Sequence, residues 1–98
     1  MDALPGWDLI EKGLDDLGAR RETIEAFLVS MAPERLRALG LSVRAPFEDP
    51  ELRLYRLLDE VHGDGAHSKY NAYRRQLASF LRAAACVNRS MPNESTSS

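Results

Sequence analysis

The sequence predicts an all-α protein, and three observations carry that prediction. Apolar residues recur at three- and four-residue steps through most of the chain, which is the spacing of one helix face. Glycine and proline stand mostly between these segments, where they start or stop helices. No run alternates apolar and polar residues for long enough to favour a strand. We therefore expect a compact bundle of about five helices, near residues 5–18, 23–31, 33–39, 49–62 and 67–88.

The first helix is expected to open at Pro5 and to end at Gly18. Its acidic residues, Asp16 among them, fall away from its apolar stripe. That stripe consists of Trp7, Ile10, Leu14 and Leu17. Gly13 lies beside the stripe, where a glycine costs about 1 kcal/mol of helix stability relative to alanine. We expect the backbone of another helix to approach closely at Gly13.

The next two helices are short and have clear boundaries. Thr23 is expected to cap the second helix, because its hydroxyl can accept a hydrogen bond from a free backbone N–H group. Pro33 ends that helix and starts the third, since the residue before a proline is pushed out of the helical conformation. Gly40 followed by Leu41 predicts a Schellman stop. Phe47 is expected to hold the following connector against the core.

The last two helices form the pair around which the chain is organised. Asp49 is expected to cap the fourth helix, with Pro50 in its first turn and Gly63 as its left-handed stop. The apolar side of that helix consists of Leu54, Tyr55, Leu57, Leu58 and Val61. The fifth helix is the longest, because no glycine or proline interrupts it. Its inner face is expected to consist of Tyr70, Tyr73, Leu77, Phe80, Leu81, Ala84 and Val87.

The polar side of the long helix is as regular as its apolar side. Residues 68–89 carry five bases and no acid, a net charge of +5, whereas residues 1–67 carry fourteen acids and eight bases, a net charge of −6. An ordinary exposed helix intersperses acids and bases for local pairing. We call this polar side the outer stripe; it consists of Ser68, Asn71, Arg75, Ser79, Arg82, Cys86 and Arg89.

The outer stripe is the predicted partner-binding surface. Its expected contacts are Ser68, Asn71, Arg75, Arg82 and Arg89. The three arginines stand about 10 Å apart along the helix, so that each can meet one carboxylate or phosphate. A solvated face is the competing explanation, because every amphipathic helix has one. The sequence therefore predicts a small non-enzymatic interaction module that binds a protein partner or itself.

Nucleic-acid binding is the alternative function. A helix, a glycine-bearing turn and a basic helix resemble a helix-turn-helix in outline, with Ser68, Asn71 and Arg75 where base-contacting side chains would lie. The predicted turn, residues 62–67, is longer than the usual three or four residues. The acidic remainder of the chain also argues against strong nonspecific binding to DNA.

The loop before the long helix offers two further candidates. His67, Ser68 and Lys69 lie at a helix start, where backbone N–H groups can bind an anion, although the nearby glycines match no phosphate-binding motif. His62, Asp64 and His67 have side chains that suit a metal ion, but their spacing matches no compact zinc motif. A solvated loop is the commoner state of such residues. We expect neither a metal nor a cofactor.

Catalytic signatures are lacking at the sequence level. Cys86 lies about five helical turns from His67, so the two cannot form a cysteine–histidine pair within one straight helix. No two carboxylates are placed together by spacing alone. We therefore predict no catalytic residue.

Composition and length set the remaining expectations. A chain of 98 residues suits one helical domain, which we place at residues 1–89, followed by a disordered tail at 90–98. One cysteine excludes an internal disulfide, no apolar run is long enough to cross a membrane, and no signal sequence is evident, so we expect a cytoplasmic protein. The modest core favours a homodimer, as do three apolar residues off the main stripes: Leu9, Val29 and Leu52.

Overall fold

The computed structural model describes residues 4–90, apart from the side chains of residues 88–90. The helices are α1 Trp7–Gly18, α2 Ile24–Val29, α3 Pro33–Ala38, α4 Pro50–His62 and α5 Ala66–Ser90, with a 3₁₀ turn at Gly63–Gly65. No strand occurs in this part of the chain, and the all-α prediction is confirmed. Helix α5 includes Ser90, which we had assigned to the tail, and the remaining tail residues, 91–98, lie outside the described residues.

The close approach predicted at Gly13 is confirmed. A Cβ atom on Gly13 would lie 2.4 Å from the Glu25 carbonyl oxygen and 2.7 Å from Cγ1 of Val29, so α1 and α2 pack almost backbone to backbone. Val29, which we expected off the main apolar stripes, lies at this contact and is completely buried. Of the other two residues expected off the stripes, Leu9 is half-buried and Leu52 is exposed.

The two predicted N-caps have different outcomes. Thr23 caps α2, since its Oγ1 accepts a hydrogen bond of 3.1 Å from the backbone N–H of Ala26. Asp49 makes no side-chain capping bond, and that prediction is wrong. Its backbone is left-handed, with φ at 49°, whereas a capping residue needs the extended conformation to aim its side chain at the free N–H groups. Pro50 starts α4 without a donor to satisfy.

The stop after α3 is the predicted Schellman motif. The N–H of Gly40 donates to the carbonyl of Arg37 at 2.9 Å, and the N–H of Leu41 donates to the carbonyl of Leu36 at 3.1 Å. Gly40 has φ at 90°, the left-handed conformation that this pair of bonds requires. The chain therefore leaves α3 in a defined direction.

Phe47 pins the connector between α3 and α4, as predicted. Its backbone N–H donates to Oγ of Ser30 at 3.1 Å, and that hydroxyl donates to the carbonyl of Ala26 at 2.8 Å. The Phe47 ring meets Phe27 edge-on, with centroids 5.3 Å apart, and the Arg20 guanidinium lies 4.4 Å above it. The connector is thus held by a buried hydrogen bond as well as by apolar contact.

Three residues expected on inner faces are exposed instead: Tyr55 at 38%, Val61 at 61% and Val87 at 43%. Val61 and Val87 lie in the last turn of α4 and of α5, where neighbouring helices no longer cover the apolar side. Tyr55 lies at the edge of the buried face of α4. Periodicity placed these residues on the correct side of each helix, but it could not show how far the neighbouring helices extend over that side.

The turn between α4 and α5 is shorter than predicted. His62 still belongs to α4 and α5 already begins at Ala66, so three residues join the two helices. Gly63 has the positive φ that was predicted, 57°, but its ψ of −118° places it outside the left-handed helical conformation. The prediction of a long turn, which argued against a helix-turn-helix, is therefore wrong.

Candidate functional site

Helix α5 is held by five buried side chains among the described residues: Ala66, Leu77, Phe80, Leu81 and Ala84. Trp7 of α1 stacks on Phe80, with ring centroids 6.0 Å apart. Because these contacts fix the rotation of α5, they also fix the direction in which its polar residues point. The outer stripe is therefore a defined surface.

The structure places most of the outer stripe at the surface. Ser68, Arg75 and Arg82 are exposed. Asn71 is half-buried, and its amide donates to Nε2 of His67 at 3.2 Å, so it is already engaged within the helix. Arg89 belongs to α5, but its side chain lies outside the described residues. Cys86 is exposed as well, so the accessible part of the stripe runs from Ser68 to Cys86.

The ion pairs of the described residues all involve Lys12 or Asp16 of α1, with Arg21 and Glu25 as the other partners. None of them involves a base of α5. Arg75 and Arg82 are seven residues apart, which places their backbones about 10 Å apart along the helix. The described part of the chain leaves both guanidinium groups available to an external acid.

A cluster of aromatic and basic side chains lies where α4 meets the first half of α5. The ring of Tyr55 meets Tyr70 edge-on, with centroids 5.4 Å apart, and lies 6.5 Å from the imidazole of His67. The Arg74 guanidinium lies 5.6 Å from the centre of the Tyr70 ring. Tyrosine and arginine are enriched among the residues that contribute most to protein interfaces. Sequence periodicity missed this cluster, because it had placed Tyr55 in the core.

A groove continues from this cluster along α5. Its wider part, about 520 Å³, lies between the start of α3 and α5, and a smaller part of about 150 Å³ lies further along. Arg35 and Leu81 line both parts, so the two are one surface feature. From Arg74 to Ala85 the α5 side of the groove is about 16 Å long, which is three helical turns.

The candidate anion site does not converge in this structure. His67, Ser68 and Lys69 are exposed in the first turn of α5. Successive helical residues point about 100° apart, so the three side chains diverge. An anion at this helix start would contact backbone N–H groups and one of these side chains at a time.

The residues weighed for metal binding and catalysis also lie apart. His62, Asp64 and His67 are exposed, and no group of three or more potential metal ligands occurs within residues 4–90. Cys86 is separated from His67 by about 28 Å along α5. Across the same residues, no helix has both the length and the apolar content to cross a bilayer.

Among the described residues, Asp16 makes the most side-chain hydrogen bonds, and the sequence did not identify it. It is only 3% exposed, although we expected it off the apolar stripe. Lys12 Nζ donates to its carboxylate at 2.6 Å, Thr23 Oγ1 at 2.7 Å and Arg21 Nε at 2.9 Å. The hydrogen bond from Lys12 is the largest cause that lowers the pKa of Asp16 to about 2, against the opposing effect of burial.

This cluster fastens the end of α1 to the start of α2. Thr23 both donates to Asp16 and accepts from Ala26, so the α2 cap and the buried carboxylate share one hydroxyl. The same hydrogen bond with Asp16 raises the pKa of Lys12. The signal in the sequence was the spacing of Lys12 and Asp16, four residues apart on one helix. It indicates a pair but not that the pair is buried.

Comparison of the chain with protein-family models, with curated proteins and with solved structures gave no match. The function is therefore inferred from the residues and their geometry. Two surfaces are candidates for binding: the outer stripe, and the aromatic cluster with its adjoining groove.

Proposed function

We propose that this chain is a small non-enzymatic interaction module, cytoplasmic in location, which binds an acidic protein partner through the outer stripe of α5. The observation that carries the proposal is the state of Arg75 and Arg82. Both are exposed, both are without an ion pair among the described residues, and α5 contains no acid that competes for them. Guanidinium groups bind carboxylates in a planar two-point geometry, which suits an acidic surface.

Self-association through the outer stripe itself is disfavoured by charge. Two copies that meet stripe to stripe would bring Arg75 and Arg82 of one protomer against the same bases of the other. Like charges placed together across an interface oppose association. The stripe therefore suits a partner of opposite sign better than a second copy.

The test compares two single variants that change the charge equally. Arg75→Glu reverses the charge at the centre of the stripe, whereas Arg44→Glu reverses an exposed arginine of the connector, which has no hydrogen bond or ion pair among the described residues. Each protein is used to capture partners from a cell lysate, and the captured proteins are quantified by mass spectrometry. We expect acidic proteins retained by the wild type and by the control to be lost from the stripe variant. Identical sets for all three proteins would exclude the stripe as a binding surface.

A nucleic-acid-binding function is the second candidate, and the length of the turn favours it. Three residues between α4 and α5 match the turn of a helix-turn-helix, and Ser68 and Arg75 are exposed along the second helix of that pair. Titration with duplex DNA and with RNA at low salt tests this function. Binding that weakens steeply with salt, and whose logarithmic slope falls by about one unit when Arg75 is replaced, would support it. No binding at micromolar concentration would exclude it.

A further inference from the structure

Two exposed apolar side chains lie one turn apart on the outer side of α4. Leu52 is 52% exposed and Tyr55 is 38% exposed, and a spacing of three residues places them next to each other on a helix. The Tyr55 ring is held in place by its edge-on contact with Tyr70. The pair therefore forms a small, fixed apolar ridge at the surface.

The groove along α5 begins beside this ridge. Glu51 precedes Leu52 and lines the groove, and Arg74, which covers the Tyr70 ring, lines it as well. The floor of the groove is apolar, with Met31, Leu77, Ala78 and Leu81. Ridge and groove are thus two parts of one continuous surface that extends from α4 across α5 to α3.

We propose that this surface binds the same surface of a second copy, so that the ridge of each protomer fills the groove of the other. A two-fold dimer requires a patch that is complementary to itself. A convex apolar ridge directly beside a concave apolar groove meets that requirement, because rotation by 180° brings each part opposite the other. Leu52 and Tyr55 are the proposed contacts of the ridge, and Ala78 and Leu81 are those of the groove.

Charge complementarity favours a second copy as the occupant. Glu51 lies on one flank of the ridge and Arg56 on the other, and both are exposed. The groove is lined by two acids and two bases: Glu34 and Arg35 on α3, Glu51 on α4 and Arg74 on α5. Each flank of the ridge therefore has a residue of opposite sign available in the groove of a second copy, Arg74 for Glu51 and Glu34 for Arg56.

Arg75 and Arg82 of the outer stripe lie at the edge of the groove, because they are three and four residues from Ala78 and are therefore its neighbours on α5. Leu52 lies on α4 and is not part of the stripe. Replacement of Leu52 therefore tests the dimer without changing the stripe, and the two proposals can fail separately.

Sedimentation equilibrium of the full chain between about 5 and 200 μM tests the proposed dimer. We expect a monomer–dimer equilibrium in which the dimer dominates at tens of micromolar. Leu52→Glu and Ala78→Glu, both at exposed positions, should each raise the dimer dissociation constant at least tenfold. Val61→Glu is the matched control, since Val61 is exposed at the far end of α4, and it should sediment as the wild type does.

A wild-type chain that stays monomeric up to 200 μM would overturn the proposal. So would a dimer that neither Leu52→Glu nor Ala78→Glu weakens, or one that Val61→Glu dissociates. If a variant loses helical circular dichroism, concentration-dependent amide shifts of the wild-type chain decide the question. Shifts centred on Leu52, Tyr55 and Ala78 would support the dimer, and shifts centred elsewhere or no shifts would overturn it.

Discussion

Charged residues are paired in the region of α1 and α2 but exposed and unpaired on the described outer side of α5. In the first region a carboxylate is buried among three donors, and the helices touch where a glycine allows them to. On α5 the bases are exposed and make no ion pair among the described residues. Charges that stabilise the fold are therefore separated from charges that are available to a partner. Substitutions in the first region should change stability, and substitutions in the second should change binding.

Gly13→Ala is expected to have the largest effect on stability. The new Cβ would meet backbone atoms of α2 at 2.4 Å, and a backbone cannot turn aside as a flexible side chain can. Overpacking typically costs about 1–3 kcal/mol and occasionally more, and a contact of 2.4 Å with backbone places Gly13→Ala at or above the upper end of that range. The gain of about 1 kcal/mol in helix propensity should therefore leave a net loss above about 2 kcal/mol. Urea unfolding followed by circular dichroism measures the net loss.

Gly18→Ala is the matched control for that experiment. Gly18 also lies in α1, but a Cβ atom there would meet nothing within 4 Å. It should leave the free energy of unfolding unchanged or raise it by less than about 1 kcal/mol. Equal effects of the two substitutions would mean that α1 and α2 are not packed as closely as the structure has them.

Asp16→Asn is expected to lower the free energy of unfolding by about 2 kcal/mol at pH 7, because the amide cannot replace a carboxylate among charged donors. The pKa of Asp16 is about 2 in the folded chain, against an ordinary value of 3.8. Its stabilising contribution is therefore fully present above about pH 4 and is lost as the pH falls through 2. The difference between wild type and variant should shrink over that range.

Urea unfolding of both proteins at several pH values from 7 to 2 provides the measurement. Asp15→Asn is the control, since Asp15 is exposed on the same helix. It should change stability little at any pH. A difference between wild type and Asp16→Asn that stays constant down to pH 2 would show that the carboxylate is not the source of the stability.

Ser30→Ala should cost about 1–2 kcal/mol. It leaves the buried N–H of Phe47 without its acceptor, and an unsatisfied buried donor is costly. Hydrogen exchange at the Phe47 amide should accelerate, since the connector loses the bond that fixes it. Ser42→Ala, at an exposed position of the same connector, should leave that exchange rate as it is.

Local signals in the sequence predicted most of the fold. A cap at Thr23, a stop at Gly40 and Leu41 and a proline at residue 33 act through the backbone within four or five residues, so their effects can be deduced without knowing the tertiary structure. Gly13 also predicted a tertiary contact, because a glycine inside an amphipathic helix destabilises the helix unless another element packs closely against it. That element is α2.

The unpredicted features depend on how elements meet. Burial of Asp16 requires that α2 start beside the end of α1, and the spacing within α1 carries no such information. The exposure of Tyr55 depends on where the neighbouring helices stop covering the apolar side of α4. The ridge and groove were missed for the same reason, since a groove between α3 and α5 exists only after both helices are packed.

Reversal of the outer stripe should have the smallest effect on stability and the sharpest effect on binding. Arg75→Glu with Arg82→Glu removes no hydrogen bond, ion pair or ring contact of the described residues, and exposed substitutions away from such features usually change stability by less than about 0.5 kcal/mol. New acids at these positions are also free of acidic neighbours within α5. Urea unfolding should therefore give the wild-type free energy within error, alongside the loss of acidic partners. A loss above about 1 kcal/mol would exceed what exposed positions allow and would show that the stripe stabilises the fold, which would remove the distinction between the two regions.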